Sequence, residues 1–228
     1  MTVDLAALVN AFPFLLKGLW FTLQITLVGV CGGIVFGSLL AIARLSQNRL
    51  LSTLATAYVN LMRSIPLILV IFWVFFLVPW AIGWITGNGR PVAVGASLTI
   101  FVTFVLFEAA YYAEIVRAGF RSISPGQYAA CDALGLSKLH AYIYILFPQA
   151  IRNVLPILLT QTIVLFQDTS LVYVISATDL LGAATKIAQR DGRLVEMYLI
   201  VGVIYFVFCF AASQFVKQLQ GRLAYGVR

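Results

Sequence analysis

Residues 18–43, GLWFTLQITLVGVCGGIVFGSLLAIA, pass without a single charged side chain. At 1.5 Å per residue, a helix over this stretch is about 39 Å long, enough to cross a hydrocarbon core of about 30 Å with tilt. Four more runs of this kind follow. Residues 64–89 form the second, although Pro79, Gly83, Gly87 and Gly89 predict that its helix ends by about residue 82. A third begins near residue 91, continues through 107 and extends to about 118. The fourth covers 153–175, interrupted only by Asp168, and the fifth covers 197–216. The reading is an all-α integral membrane protein with five transmembrane helices and a single membrane domain over 1–228.

Composition agrees with that reading. Of the 228 residues 62% are hydrophobic and 10% charged, against about 45–50% and 25% in soluble domains, so the charges are too few to clothe a water-soluble globule. A soluble enzyme and a disordered chain are excluded. Cys31, Cys131 and Cys209 lie too far apart, in mostly apolar context, to mark a disulfide-stapled module. The net charge of +7 does not point to nucleic acid, because the basic residues sit in short gaps between apolar runs and form no dense face.

Those gaps orient the chain. If the C-terminus is cytoplasmic, the inner segments hold Arg44, Arg49, Arg63, Arg117, Arg121, Lys138, Arg152, Lys217, Arg222 and Arg228, ten of the fifteen basic residues. The outer segments hold Lys17, Arg90, Lys186, Arg190 and Arg193, offset by Asp4, Asp179, Asp191 and Glu196. The positive-inside rule then sets the N-terminus in the periplasm and the C-terminus in the cytoplasm. The opening MTVDLAALVN has no basic segment, so no cleaved signal peptide is expected there.

Polar and small residues inside the spans are the candidates for function. Gly29, Gly33, Gly37 and Ala41 recur every fourth residue of the first span, a smooth stripe that admits another backbone, although small residues are common in membrane helices in any case. On the fourth span Asn153, Thr160, Gln161 and Asp168 fall on one face by helical spacing. An ionised aspartate in lipid costs about 2.5–3.5 kcal/mol on insertion scales, so Asp168 is expected to face protein or a water-filled pathway. On the third span Glu114 has Arg117 three residues on, the spacing of an interfacial ion pair. Glu108 lies deeper, has no partner nearby in sequence, and is the better pathway candidate.

Residues 117–152, between the third and fourth spans, are long for a connector. Ser124 as N-cap, Pro125 in the first turn and Gln127 at the third position predict a capped helix with a capping box. Ala129, Ala130 and Ala133 give it a small-residue face, and Gly135 suits a left-handed cap. Ser137 begins a second helix running towards Pro148. Such a helix suits a groove on another protein, although a well-capped amphipathic helix lying on the membrane surface explains the same pattern.

Residues 126–148, GQYAACDALGLSKLHAYIYILFP, resemble the "EAA" loop of importer-type ABC transporter permeases, whose pattern is Glu-Ala-Ala, three residues, Gly, nine residues, Ile, one residue, Leu-Pro. Ala129 stands for the Glu, Ala130 and Cys131 for the two alanines, Gly135 for the Gly, Ile145 for the Ile, and Phe147 with Pro148 for Leu-Pro. The spacing is intact, and the residues at 129 and 131 are departures. RSIPL (63–67), FEAAYYAEIVRAGFRSIS (107–124), FPQAIRNVLP (147–156) and FQDTSLVYV (166–174) extend the likeness over nearly the whole chain. They resemble the polar amino acid permeases, and within these the membrane subunits of glutamate/aspartate importers.

The resemblance implies an importer-type ABC permease fold in the bacterial inner membrane, with no cofactor in this chain and ATP-Mg held by partners. Those partners are two cytoplasmic ATPase subunits, a homologous permease or a second copy of this chain, a periplasmic solute-binding protein, an amino-acid substrate and membrane lipid. The absence of any G-x-x-x-x-G-K-[ST] string agrees with borrowed ATP hydrolysis. The coupling surface would be formed by Gly126, Gln127, Ala129, Ala130, Asp132, Ala133, Leu134, Gly135 and Pro148. The substrate pathway would use Glu108, Thr160, Gln161, Asp168, Thr169, Ser170 and Arg63, the last ranked as a structural or inner-gate residue. Glutamine, arginine or histidine as substrate, and transport without ATP as a channel or secondary transporter, stay open as alternatives. A membrane-embedded enzyme is disfavoured, because a single histidine (His140) and the lack of clustered Cys or carboxylates provide no metal or nucleophile constellation.

Overall fold

The apolar runs become five helices long and apolar enough to cross a membrane, among residues 5–87 and 89–224, which the computed structural model describes. Asp4 and Arg228, used above to orient the chain, and the first four residues of MTVDLAALVN lie outside the described residues. Helix α1 (Leu5–Arg44) is followed by α2 (Arg49–Ser64), α3 (Leu67–Ile85) and α4 (Ala96–Arg121). Then come α5 (Pro125–Ala133), α6 (Lys138–His140), a π-helical turn (Ala141–Leu146) and α7 (Phe147–Asp168). A 3₁₀ segment (Thr169–Ile175), α8 (Leu180–Asp191) and α9 (Leu194–Ala224) complete the chain. No strand occurs among the described residues, as expected where a lipid-facing backbone must satisfy its own hydrogen bonds.

The packing centre is α1 against α4. Gly33 lies under the Tyr112 ring, and a Cβ at Gly37 would stand 2.8 Å from the Ala109 carbonyl oxygen and 2.9 Å from the Ala113 nitrogen. The glycine stripe is therefore the seam at which two backbones meet. Gly29 of the same stripe faces Leu165 of α7. Around this seam Ile25, Ile71, Ile100, Phe104, Leu165 and Val172 form the main buried cluster. Large apolar side chains such as Trp73, Phe76, Trp84, Phe206 and Phe215 point outwards, which costs nothing where the surroundings are lipid.

Three expectations need correction. The helix of the second run continues past residue 82 to Ile85, because Pro79 and Gly83 are tolerated within it. The fourth span begins well before residue 153. α6, the π turn and α7 follow one another directly, so the second loop helix, expected to run towards Pro148 and lie apart from the fourth span, continues into it. The Phe147 N–H donates to the Tyr142 carbonyl, five residues back, and such a π turn accommodates the missing N–H and the ring of Pro148 without ending the helix.

Two helices escaped the apolar-run reading. α2 is amphipathic, and Asn48 caps it by accepting from the N–H groups of Leu50 and Leu51. α8 is capped by the fully buried Asp179, whose carboxylate accepts from Leu181 and Gly182. The Leu180 N–H donates to Thr22 Oγ1 of α1 at 3.1 Å, and α8 packs against α1 and α9 through Leu15, Ala183, Ala184, Ile187 and Met197. Burial pushes the Asp179 carboxyl up to about 6, against the opposing pull of those two N–H bonds.

Candidate functional site in the membrane interior

Glu108 stands twelve residues from the first residue of α4 and thirteen from its last, so it lies about 18 Å from either end. It is completely buried. Its Oε2 accepts from Gln161 Nε2 of α7 at 3.1 Å, while its Oε1 has no hydrogen-bond donor among the described residues. A half-satisfied carboxylate in low dielectric is costly, and its own fold does not compensate it. One turn along α4, the Tyr111 ring carries the Arg63 guanidinium 5.7 Å from its centroid, a cation–π arrangement. Asp168, half-buried, ends α7 seven residues beyond Gln161, on the same face of the helix. Three helices thus bring together two carboxylates, a carboxamide, a phenol and a guanidinium.

The other expected pathway residues are placed differently. The Thr160 hydroxyl donates to the Pro156 carbonyl of its own helix at 2.9 Å. Thr169 is fully buried and its hydroxyl donates to the Phe166 carbonyl at 2.7 Å, so that donor is already engaged. Ser170 is half-buried in the 3₁₀ segment. Asn153, exposed, donates to Ser122 Oγ at 2.8 Å, so it fixes the entry of α7 against the end of α4. Of the four-residue polar face only Gln161 bonds to Glu108.

Glu114 is surrounded quite differently. The ion pair with Arg117 is present, Arg44 Nη1 approaches Oε2 at 2.5 Å, and Arg63 Nη1 lies 3.7 Å away. Arg44 belongs to α1 and is 70 positions distant in sequence, so no local spacing could have revealed it. Tyr111 and Arg44 are the two members of this region that sequence reasoning missed as site residues.

At one end of the bundle α5 presents Ala129, Ala130 and Ala133 to the exterior, together with Gly126, Asp132 and Leu134. Cys131 is turned inwards and buried. Gly135 follows with φ +68, the left-handed geometry that favours glycine. The expected capping box is absent: the Ser124 side chain makes no cap bond, and Gln127 Oε1 instead accepts from Gln149 Nε2 of α7 at 3.0 Å. That exchange pins α5 to the start of the fourth span. Pro148 is exposed beside it.

A bundle of crossing helices with an underpaired carboxylate at its centre, and a short exposed helix braced against one span, has the architecture of a membrane translocation subunit. The profile of the family described as "Binding-protein-dependent transport system inner membrane component" matches residues 33–225, and the chain belongs to that family. It is 46% identical over 221 residues to the glutamate/aspartate import permease protein GltK of Escherichia coli O6:H1, covering 97% of this chain and 98% of that one. It is 30% identical to the glutamine transport system permease protein GlnP of Escherichia coli K12, over 98% of this chain and 99% of that one. A crystal structure of an amino acid ABC transporter with histidines superposes with a TM-score of 0.86 at 30% identity, covering 97% of this chain and all of that one. The chain is therefore an inner-membrane ABC importer permease, which translocates and does not itself hydrolyse ATP. Its family works with ATPase and binding-protein partners.

Proposed function

We propose that this chain carries a polar amino acid, foremost glutamate or aspartate, inwards past Glu108 after delivery by a periplasmic binding protein. The observation that carries the reading is the unpaired Glu108 Oε1 at the centre of α4. A passing α-ammonium supplies the missing donor, Gln161 holds the other oxygen, and Asp168 adds a second acceptor on the same side. Arg63, 40% exposed, offers a guanidinium to a substrate carboxylate at the inner end. The acidic preference draws support from the 46% identity to a glutamate/aspartate permease. Ser170 and Thr160 serve the same pathway, and Thr169 contributes by holding the turn.

In this reading the N-terminus is periplasmic and 117–152 is the cytoplasmic coupling segment. α5 is seated in a groove of one of two ATPase subunits, and a homologous permease or second copy of this chain completes the transporter. Closure of the ATPases on ATP-Mg moves α5, and the Gln127–Gln149 bond and the continuous α6–α7 rod pass that motion to Gln161. The test is uptake of labelled glutamate by the reconstituted complex, with glutamate, aspartate, glutamine and arginine as competitors. Competition by the two acids alone is expected, and equal competition by arginine sinks the acidic assignment. Gly135→Val, which forces a β-branched residue to φ +68 at a cost of about 1–3 kcal/mol, is expected to abolish substrate-stimulated ATP hydrolysis while membrane insertion persists. Normal stimulation removes α5 from coupling.

A further inference from the structure

Between the ends of α1 and α4 and the underside of α5 lies a groove of about 780 Å³, within the size range of small-molecule sites. Its floor is apolar, formed by Ile42, Leu45, Val116, Phe120, Tyr142 and Phe147. Its rim is polar and basic, with Ser46, Arg117 and Arg121, while Ser38 lies about two turns deeper on α1. Arg121, in the last turn of α4, is exposed and has no ion-pair partner among the described residues. The nearby ion-pair cluster adds to the same sign, since Arg44, Arg63 and Arg117 share the single carboxylate of Glu114.

We propose that this groove seats one anionic phospholipid, its phosphate on Arg121 beside the Ser46 hydroxyl, and its acyl chains along Ile42, Val116, Phe120 and Phe147. Two features select this occupant. The apolar floor is continuous with the outward-facing side chains of α1, where Leu39, Ile42 and Leu45 are each more than half exposed, so chains can enter from the bilayer without crossing water. The rim bears uncompensated positive charge at the depth where the spans end, and basic pockets between membrane helices select anionic headgroups. A lipid there touches α1, α4, α5 and the π turn at once, and wedges the exposed helix against the spans. The orientation proposed above enters only in naming the leaflet as cytoplasmic.

The test uses the complete permease–ATPase complex in nanodiscs of phosphatidylglycerol and phosphatidylcholine, followed by native mass spectrometry of bound lipid. The expected result is one retained phosphatidylglycerol per copy of this chain, reduced about fivefold by Arg121→Gln, as the loss of one surface cation implies. Ile42→Trp fills the floor without touching charge and should exclude either lipid; it carries the test if Arg121→Gln assembles poorly. Equal retention of phosphatidylcholine, or unchanged retention in both variants, overturns the proposal. So does a disulfide cross-link from a cysteine placed at Ile42 to another subunit, which would show that protein fills the groove. Nanodiscs expose both leaflets, so a wrong orientation leaves binding intact, and failed binding leaves the translocation reading untouched.

Discussion

Glu108 and Glu114 are on the same helix, fewer than two turns apart, and have opposite surroundings. Glu114 has Arg44, Arg63 and Arg117 around one carboxylate. Glu108 has one carboxamide and an oxygen with no donor. An oversupplied carboxylate is a fastener, joining α1, α2 and α4 where the spans end. An undersupplied one, fully buried, leaves bonding capacity that the fold does not use and a ligand can. The contrast is what supports the proposed pathway role of Glu108 over Glu114, because it asks only whether the protein itself completes the coordination.

Glu114→Ala would test the fastener most severely, since it strands three guanidiniums in a partly buried site. A loss of about 3 kcal/mol is expected, at the lower end of the range for breaking a buried pair because the cluster is partly hydrated. Denaturation of the purified complex measures it, and a loss under about 1 kcal/mol would put Glu114 among ordinary surface pairs.

Asp179 extends the comparison to a buried carboxylate completed by backbone N–H groups. Its carboxyl is raised from the ordinary 3.8 to about 6, so the folded state favours the protonated form. That contribution is full below pH 3.8 and is lost as pH rises through about 6, amounting to roughly 3 kcal/mol at most. Asp179→Asn is expected to flatten the stability profile between those values, and an unchanged profile would show that another group titrates.

Glu108→Gln sharpens the other side. Uptake is expected to fall at least tenfold, about 1.4 kcal/mol, while the melting temperature holds, because the isosteric carboxamide keeps an oxygen for Gln161. A fall in melting temperature with normal uptake would make Glu108 a second fastener. The smallest stability effect is expected for Arg63→Ala, below about 1 kcal/mol for an exposed partner at 3.7 Å, with uptake reduced. Arg44→Ala, at 10% side-chain exposure, should cost more stability and less uptake; identical behaviour of the two variants would erase the distinction.

What was legible in the sequence followed from local rules. The five spans could be counted because a helix crossing lipid needs an uninterrupted apolar run, and the left-handed cap at Gly135 because its residue type serves that geometry. α2 and α8 were missed because neither is apolar throughout. Their signals were caps, Asn48 and Asp179, which an apolar-run reading passes over. The fourth span was started too late because a charge-free run begins only after Arg152, whereas the helix already carries that residue. The capping box failed because Gln127 found a tertiary partner in Gln149 that outcompeted the local one.

By itself the sequence determined the membrane class, the number of crossings, the exposed alanine-faced helix and the identity of the polar exceptions. Each is a property of residues within one or two helical turns, set by transfer free energy and backbone hydrogen bonding. Which exceptions meet was decided by tertiary structure alone. Gln161 reaches Glu108 across 53 positions where Gly119 lets α4 approach the Ala150 backbone of α7, and Arg44 reaches Glu114 across 70 because Gly33 and Gly37 let α1 lie directly on α4. Close packing of the helices, and not spacing along the chain, distributes partners between two glutamates of one helix and leaves one of them incomplete.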